Sequence, residues 1–229
     1  MKPSEKINAL CGERWRGFLS HPFVRGIADG SLPIEKFRYF MVQDHKYLME
    51  YAKIFAIGIV RSETEEDMRI FSSLVTDAID TENAVHQAYL RELGISRAMI
   101  DGTPMSLNNS SYTSYMIAEA EKGGLPEIAV SALACSWSYK VVGDGLAASF
   151  PDSLQHPFYG RWVRMYSGEE YAAANDGLVS LVDRFCAPLP AARLERLLKI
   201  VQICTDYECQ FWDAAWTLGA EYTPVFPGH

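Results

Sequence analysis

Cys135 and Tyr139 stand four residues apart in the run AVSALACSWSYK. On a helix that spacing puts both on one face. A thiol in such a place is either a small buried hydrophobe, the common fate of a free cysteine, or a nucleophile in an environment that favours its thiolate. The polar neighbours Ser136, Ser138 and Tyr139 point away from an inert core position. Three carboxylates also break their surroundings: Asp44, Glu82 and Glu208 each occupy a position of an apolar helical stripe where Leu or Ala is expected. Burying an unpaired carboxylate costs several kcal/mol, so each needs a partner or a purpose. Singly, each fits a stripe edge, a salt bridge or a helix cap. Together, on three long helices, they point to a shared interior pocket.

Other chemistries find less support. A di-iron centre in a helical bundle needs Glu-x-x-His motifs, and none of His21, His45, His86, His156 and His229 has a Glu three residues before it. Glu82 and His86 are four apart, without a second set, so an ion pair or a hydrogen bond to a tyrosine is expected there. No serine nucleophile motif, phosphate-binding glycine loop or zinc pattern occurs. No metal and no cofactor is expected. The formal charge of −8, from 21 basic and 29 acidic residues, argues against a nucleic-acid surface, which needs clustered Lys and Arg. The five cysteines form no Cys-x-x-Cys pair, and the opening MKPSEKINAL lacks the apolar run of a signal peptide. Reduced thiols and a cytoplasmic location are expected. Stretches such as IFAIGIV are too short to span a bilayer, so no membrane partner is expected.

The elements that must hold these residues read as helices almost throughout. A first stripe runs from Ile7 to Leu19, and His21-Pro22 ends it. Pro33 opens a helix to about Arg61 whose stripe includes Phe37, Phe40, Asp44, Tyr47, Tyr51 and Phe55. Thr64 caps the next helix, with Asp67 at its third position. Its stripe of Met68, Phe71, Val75, Ala78, Glu82, Val85, Tyr89 and Leu93 ends at Gly94. A loop with Gly102, Pro104 and Asn108-Asn109 precedes a helix near Ser110 to Lys122. Pro126 starts another to about Val142, where Gly143 and Gly145 break the pattern. Pro157 opens a segment with Trp162 and Tyr166. Helices near Glu169 to Phe185 and Ala191 to Leu218 follow, then an aperiodic tail, EYTPVFPGH. No alternating strand, repeat or linker appears, which predicts one all-α bundle over 1–229.

Four segments together resemble the TenA/thiaminase II family. They are GSLPIEKFRYFMVQDHKYLMEYA, ALACSWSYK, HPFYGRWVRMY and YECQFWDAAW, in family order over nearly the whole chain. The resemblance implies a haem-oxygenase-like helical fold without haem. It implies hydrolysis of 4-amino-5-aminomethyl-2-methylpyrimidine to the hydroxymethyl compound in thiamine salvage, with thiamine cleavage as the related activity. It also implies a homotetramer. By motif matching, Cys135 corresponds to the family nucleophile and Glu208 to its acid/base. Asp44 corresponds to the carboxylate on the pyrimidine amidine edge. Tyr112, Tyr139 and Tyr166 correspond to pocket tyrosines, and Tyr47 to an aromatic wall. Ala134 stands where the family commonly has proline, and Lys140-Val141 also departs from its pattern. These departures bear on substrate choice more than on fold. Two other readings stand beside this one: a metal-dependent oxidase of the same fold, and a non-enzymatic helical interaction or regulatory protein.

Overall fold

The computed structural model describes residues 1–220; of residues 81–83 the backbone alone is described. The aperiodic tail from Glu221 therefore lies outside the described residues. So does the side chain of Glu82, one of the three carboxylates singled out above.

Eleven α-helices make up the described part, with no strand among them. They are α1 (Pro3–Gly17), α2 (Pro22–Asp29), α3 (Ile34–Arg61), α4 (Glu65–Thr76), α5 (Glu82–Glu92), α6 (Arg97–Gly102), α7 (Leu107–Lys122), α8 (Leu125–Ser149), α9 (Gly160–Ser167), α10 (Glu169–Cys186) and α11 (Ala191–Thr217). Their ends follow local chemistry. His21 caps α2 by accepting from the Phe23 N–H, and Gly30 closes it at φ 77°. Thr64 accepts a hydrogen bond from the Asp67 N–H at 3.1 Å and donates its hydroxyl to the Asp67 carboxylate at 2.7 Å. This satisfies one of the donors that a helix start leaves free.

The bundle is organised around α8, which packs against α1, α3, α7, α9, α10 and α11. Small residues make this possible. Ala129, Ala132 and Ala134 are buried, and they let neighbouring backbones come close. Tyr51 of α3 reaches across to donate to the Ala132 carbonyl at 3.0 Å. Ala134 itself lies within an unbroken helix, where a proline would remove a backbone donor.

Three expectations are corrected. Gly143 and Gly145 do not end α8, which continues to Ser149. A Cβ on Gly143 would lie 2.5 Å from the Tyr166 carbonyl carbon, and one on Gly145 would meet the Leu19 side chain. These glycines mark close packing, not a break. The segment before α7 is not all loop, because Ser96 caps the short α6 by accepting from the Met99 N–H. The helix expected from Thr64 to Leu93 is interrupted by a π-turn over Asp77–Thr81 that separates α4 from α5.

The π-turn has a geometric effect. A wider turn admits an extra residue and advances the side-chain register beyond it by one position. Phe71 is buried before the turn and Ala78 within it; after it the fully buried residues are His86, Tyr89 and Leu90, while Val85 is only half-buried. An uninterrupted helix would have turned Val85 inward in place of His86. Among the described residues, no helix is long and apolar enough to cross a membrane.

Candidate active site

A cavity of about 820 Å³ opens between α3, the α4–α5 segment, α8, α9 and α10. Five of the residues singled out in the sequence line it: Asp44, Tyr47, Cys135, Tyr139 and Tyr166. Its apolar wall includes Leu48, Tyr51 and Phe55, one turn apart along α3. The long helix α3 thus supplies a carboxylate followed by a run of ring and aliphatic surface on one face.

Glu208 and Tyr112 lie behind the cavity rather than on it. Glu208, on α11, is 2% exposed. Its Oε1 accepts a hydrogen bond from the Tyr112 hydroxyl at 2.8 Å, and its carboxyl also hydrogen-bonds the Cys135 thiol. The thiol therefore has the cavity on one side and a buried carboxyl on the other. Burial pushes the Glu208 pKa from 4.5 to about 8; the Tyr112 hydrogen bond pulls it down, the Asp44 carboxyl pushes it up, and the Cys135 hydrogen bond pulls it down. Burial outweighs the two hydrogen bonds, so Glu208 holds a proton at neutral pH. Burial also drives the Tyr47, Tyr112 and Tyr139 phenols well above their ordinary range, so all three stay neutral.

The rings interlock. Tyr47 packs on Tyr51 at 5.5 Å between centroids and on Tyr112 at 5.3 Å. Tyr139 sits 4.8 Å from Tyr166 and 5.0 Å from Trp212, and Trp162 sits 4.6 Å from Tyr166. Such contacts fix ring orientation as well as burying area. Flat faces beside a carboxylate and a thiol suit a planar heteroaromatic ligand with an amino-substituted edge.

Asp44 is 4% exposed, and its Oδ2 lies 2.5 Å from His86 Nε2. The expected ion pair of His86 with Glu82 involves a side chain outside the described residues; the contact of His86 with Asp44 was not among the expectations. Periodicity could not place it, because the π-turn shifts the register of α5. Ser136 and Tyr171 line the cavity beyond Cys135. The Ser136 hydroxyl donates to Asn175 Oδ1 at 3.1 Å, and the Tyr171 hydroxyl donates to the Ser136 carbonyl at 3.3 Å. Arg161, Arg164, Glu169 and Glu170 also contribute to its lining.

Residues 11–218 match the TENA/THI-4/PQQC family. The chain is 40% identical over 216 residues to the aminopyrimidine aminohydrolase of Helicobacter pylori, covering 94% of this chain and 99% of that protein. It is 35% identical over 202 residues to the aminopyrimidine aminohydrolase of Halalkalibacterium halodurans, covering 88% and 90%. Among solved structures, the TenA homologue from P. horikoshii OT3 superposes with a TM-score of 0.83 at 27% identity, covering 95% of this chain and 99% of that one. A domain with a heme oxygenase-like fold from Shewanella denitrificans superposes with a TM-score of 0.73 at 12% identity, covering 98% of each chain, a likeness of fold alone. The chain belongs to the TENA/THI-4/PQQC family.

Proposed function

We propose that this chain is an aminopyrimidine aminohydrolase of the thiaminase II type, acting in thiamine salvage. The observation that carries the chemistry is the position of Cys135. Its thiol faces a cavity shared with Asp44 and is hydrogen-bonded from behind to a buried, protonated Glu208. The curated relatives favour this over an oxidase or a non-enzymatic role.

Asp44 accepts hydrogen bonds from the amino-pyrimidine edge. Tyr47, Tyr139 and Tyr166 wall the ring, and Tyr112 orients Glu208 from behind. The Cys135 thiolate adds to a ring carbon while Glu208 delivers its proton to a ring nitrogen. Loss of aromaticity lets the ring electrons expel the exocyclic amine, which takes the proton given up by the Cys135 thiol and leaves as ammonia. Water adds to the methylene carbon and gives up a proton. The ring nitrogen returns its proton to Glu208 as the ring releases the thiolate, which takes up the proton from water, and the ring regains aromaticity carrying a hydroxymethyl group. Nucleophilic catalysis thus divides one hard substitution into easier steps. The net change is exchange of ammonia for water. When thiamine is the substrate the thiazole leaves in place of ammonia, and the cavity of about 820 Å³ has room for that larger group. Side chains and water suffice for this scheme, and no metal or cofactor enters it. The chain works as one domain, as a homotetramer in the cytoplasm.

The test is incubation of purified protein with 4-amino-5-aminomethyl-2-methylpyrimidine and, separately, with thiamine. Mass spectrometry should show the hydroxymethylpyrimidine and its co-product. No turnover of either compound would refute the proposal.

A further inference from the structure

We infer that His86 is a positioning residue for Asp44, brought to it by the π-turn over Asp77–Thr81. The inference rests on the proposal that Asp44 binds the amino-pyrimidine edge.

Asp44 and His86 come from different helices, α3 and α5, which pack together. The imidazole is fully buried and does not line the cavity, while the carboxylate does. At 2.5 Å the two atoms share a hydrogen bond, which the ring makes by donating from Nε2 to Oδ2. This bond fixes the carboxylate's rotation about its final torsion, which is otherwise broad. It leaves Oδ1 to accept from a ligand's amino group. A carboxylate aimed in advance loses less freedom when the ligand arrives. It also meets part of the cost of holding a charge in a nearly dry wall.

The π-turn is what makes this pairing possible. Without its extra residue α5 would turn Val85 inward, and Asp44 would face an aliphatic side chain. The turn forms part of the same wall, since Asp77 and Ala78 line the cavity. A π-turn gives up regular helical geometry, and its return here is one imidazole delivered to the carboxylate.

The experiment is calorimetric binding of the hydroxymethylpyrimidine product to wild type, His86→Leu, His86→Gln, Asp44→Ala and the His86→Leu/Asp44→Ala double variant, with kcat and KM for the aminomethyl substrate. Leu fills similar space without a donor, whereas the Gln amide nitrogen can stand near the Nε2 position. His86→Leu should weaken product binding about tenfold or more, the scale on which supporting hydrogen bonds act. KM should rise by more than kcat falls, and Gln should recover most of the loss. In the Asp44→Ala background the Leu substitution should change binding little. Unaltered binding in His86→Leu, or an equal loss with Asp44 already removed, would overturn the inference. If Asp44→Ala alone leaves binding intact, the Asp44 assignment falls first and takes this inference with it. Should His86→Leu fail to fold, His86→Asn replaces it, since its shorter amide does not reach the Nε2 position. Equal binding by the Asn and Gln variants would then overturn the inference, and tighter binding by Gln would support it.

Discussion

The Tyr112 hydroxyl donates to Glu208 Oε1 at 2.8 Å, and neither residue lines the cavity. The Glu208 carboxyl, proposed above as the acid/base group, is therefore held from behind and approaches the cavity at the Cys135 side.

Glu208→Gln should cut kcat about a hundredfold or more, the usual scale of general acid–base catalysis. The amide keeps the size and can still accept from Tyr112, but it cannot pass a proton. Steady-state kinetics checks this. A near-wild-type kcat with a lowered melting temperature would assign Glu208 to anchoring α11 instead.

The same carboxyl sets a pH dependence of stability. Its pKa is about 8 in the folded chain against 4.5 as the ordinary value. Below 4.5 folded and unfolded states are both protonated, and the native state keeps its full advantage. Between 4.5 and 8 only the folded state holds the proton, so stability falls as pH rises; above 8 the loss is complete. Melting temperatures of wild type relative to Glu208→Gln should therefore drop from pH 5 to pH 8 and then level. A difference that stays flat over that range would contradict the raised pKa.

Cys135→Ser should reduce turnover roughly a thousandfold or more, on the order seen when a nucleophile is lost, while still binding the hydroxymethylpyrimidine. Bound product should also slow alkylation of Cys135 in the wild type, followed by peptide mass spectrometry. Retained turnover in the serine variant would end the covalent scheme.

Asp44→Ala should weaken an aminopyrimidine far more than an analogue lacking the amino group, because a site built to hydrogen-bond one edge discriminates through it. Titration of both ligands into both proteins gives the comparison. Equal losses would remove Asp44 from edge recognition.

Gly143→Ala tests the packing that carries Tyr166. The added Cβ would press on the Tyr166 backbone at 2.5 Å, and backbone yields less readily than a side-chain tip. A cost of about 1–3 kcal/mol is expected for such overpacking, together with weaker ligand binding through the displaced ring. Urea unfolding and product titration would show it, and unchanged values for both would mean that α8 and α9 can separate freely.

Much of the fold was legible because helical periodicity is strong. Phe37, Phe40, Tyr47, Tyr51 and Phe55 are buried as their spacing on α3 requires. Of the three carboxylates that stood out on apolar faces, Asp44 lines the cavity and Glu208 lies behind it against Cys135, while the Glu82 side chain is outside the described residues. The misreadings share a cause: they depend on what lies across the bundle. Gly143 resembles a helix breaker until Tyr166 is seen against it. His86 falls off the stripe unless the π-turn is known, and nothing local in DAIDT announces that turn. Cys204, read from its stripe as packing, is indeed fully buried, one turn from Glu208. Tyr112 matched a pocket tyrosine by motif, whereas three dimensions place it one layer further back.

The aromatic stack behind Tyr139 has an optical consequence. Trp162 and Trp212 are fully buried, and neither indole N–H has a hydrogen-bond partner among the described residues. Indoles in such dry surroundings emit at short wavelength. Both lie next to Tyr139, at 6.1 Å and 5.0 Å between centroids, and Tyr139 lines the cavity. A heteroaromatic guest seated against that tyrosine is expected to quench their light. Occupancy of the cavity can thus be followed from the protein's own emission, without a label and before any bond is broken.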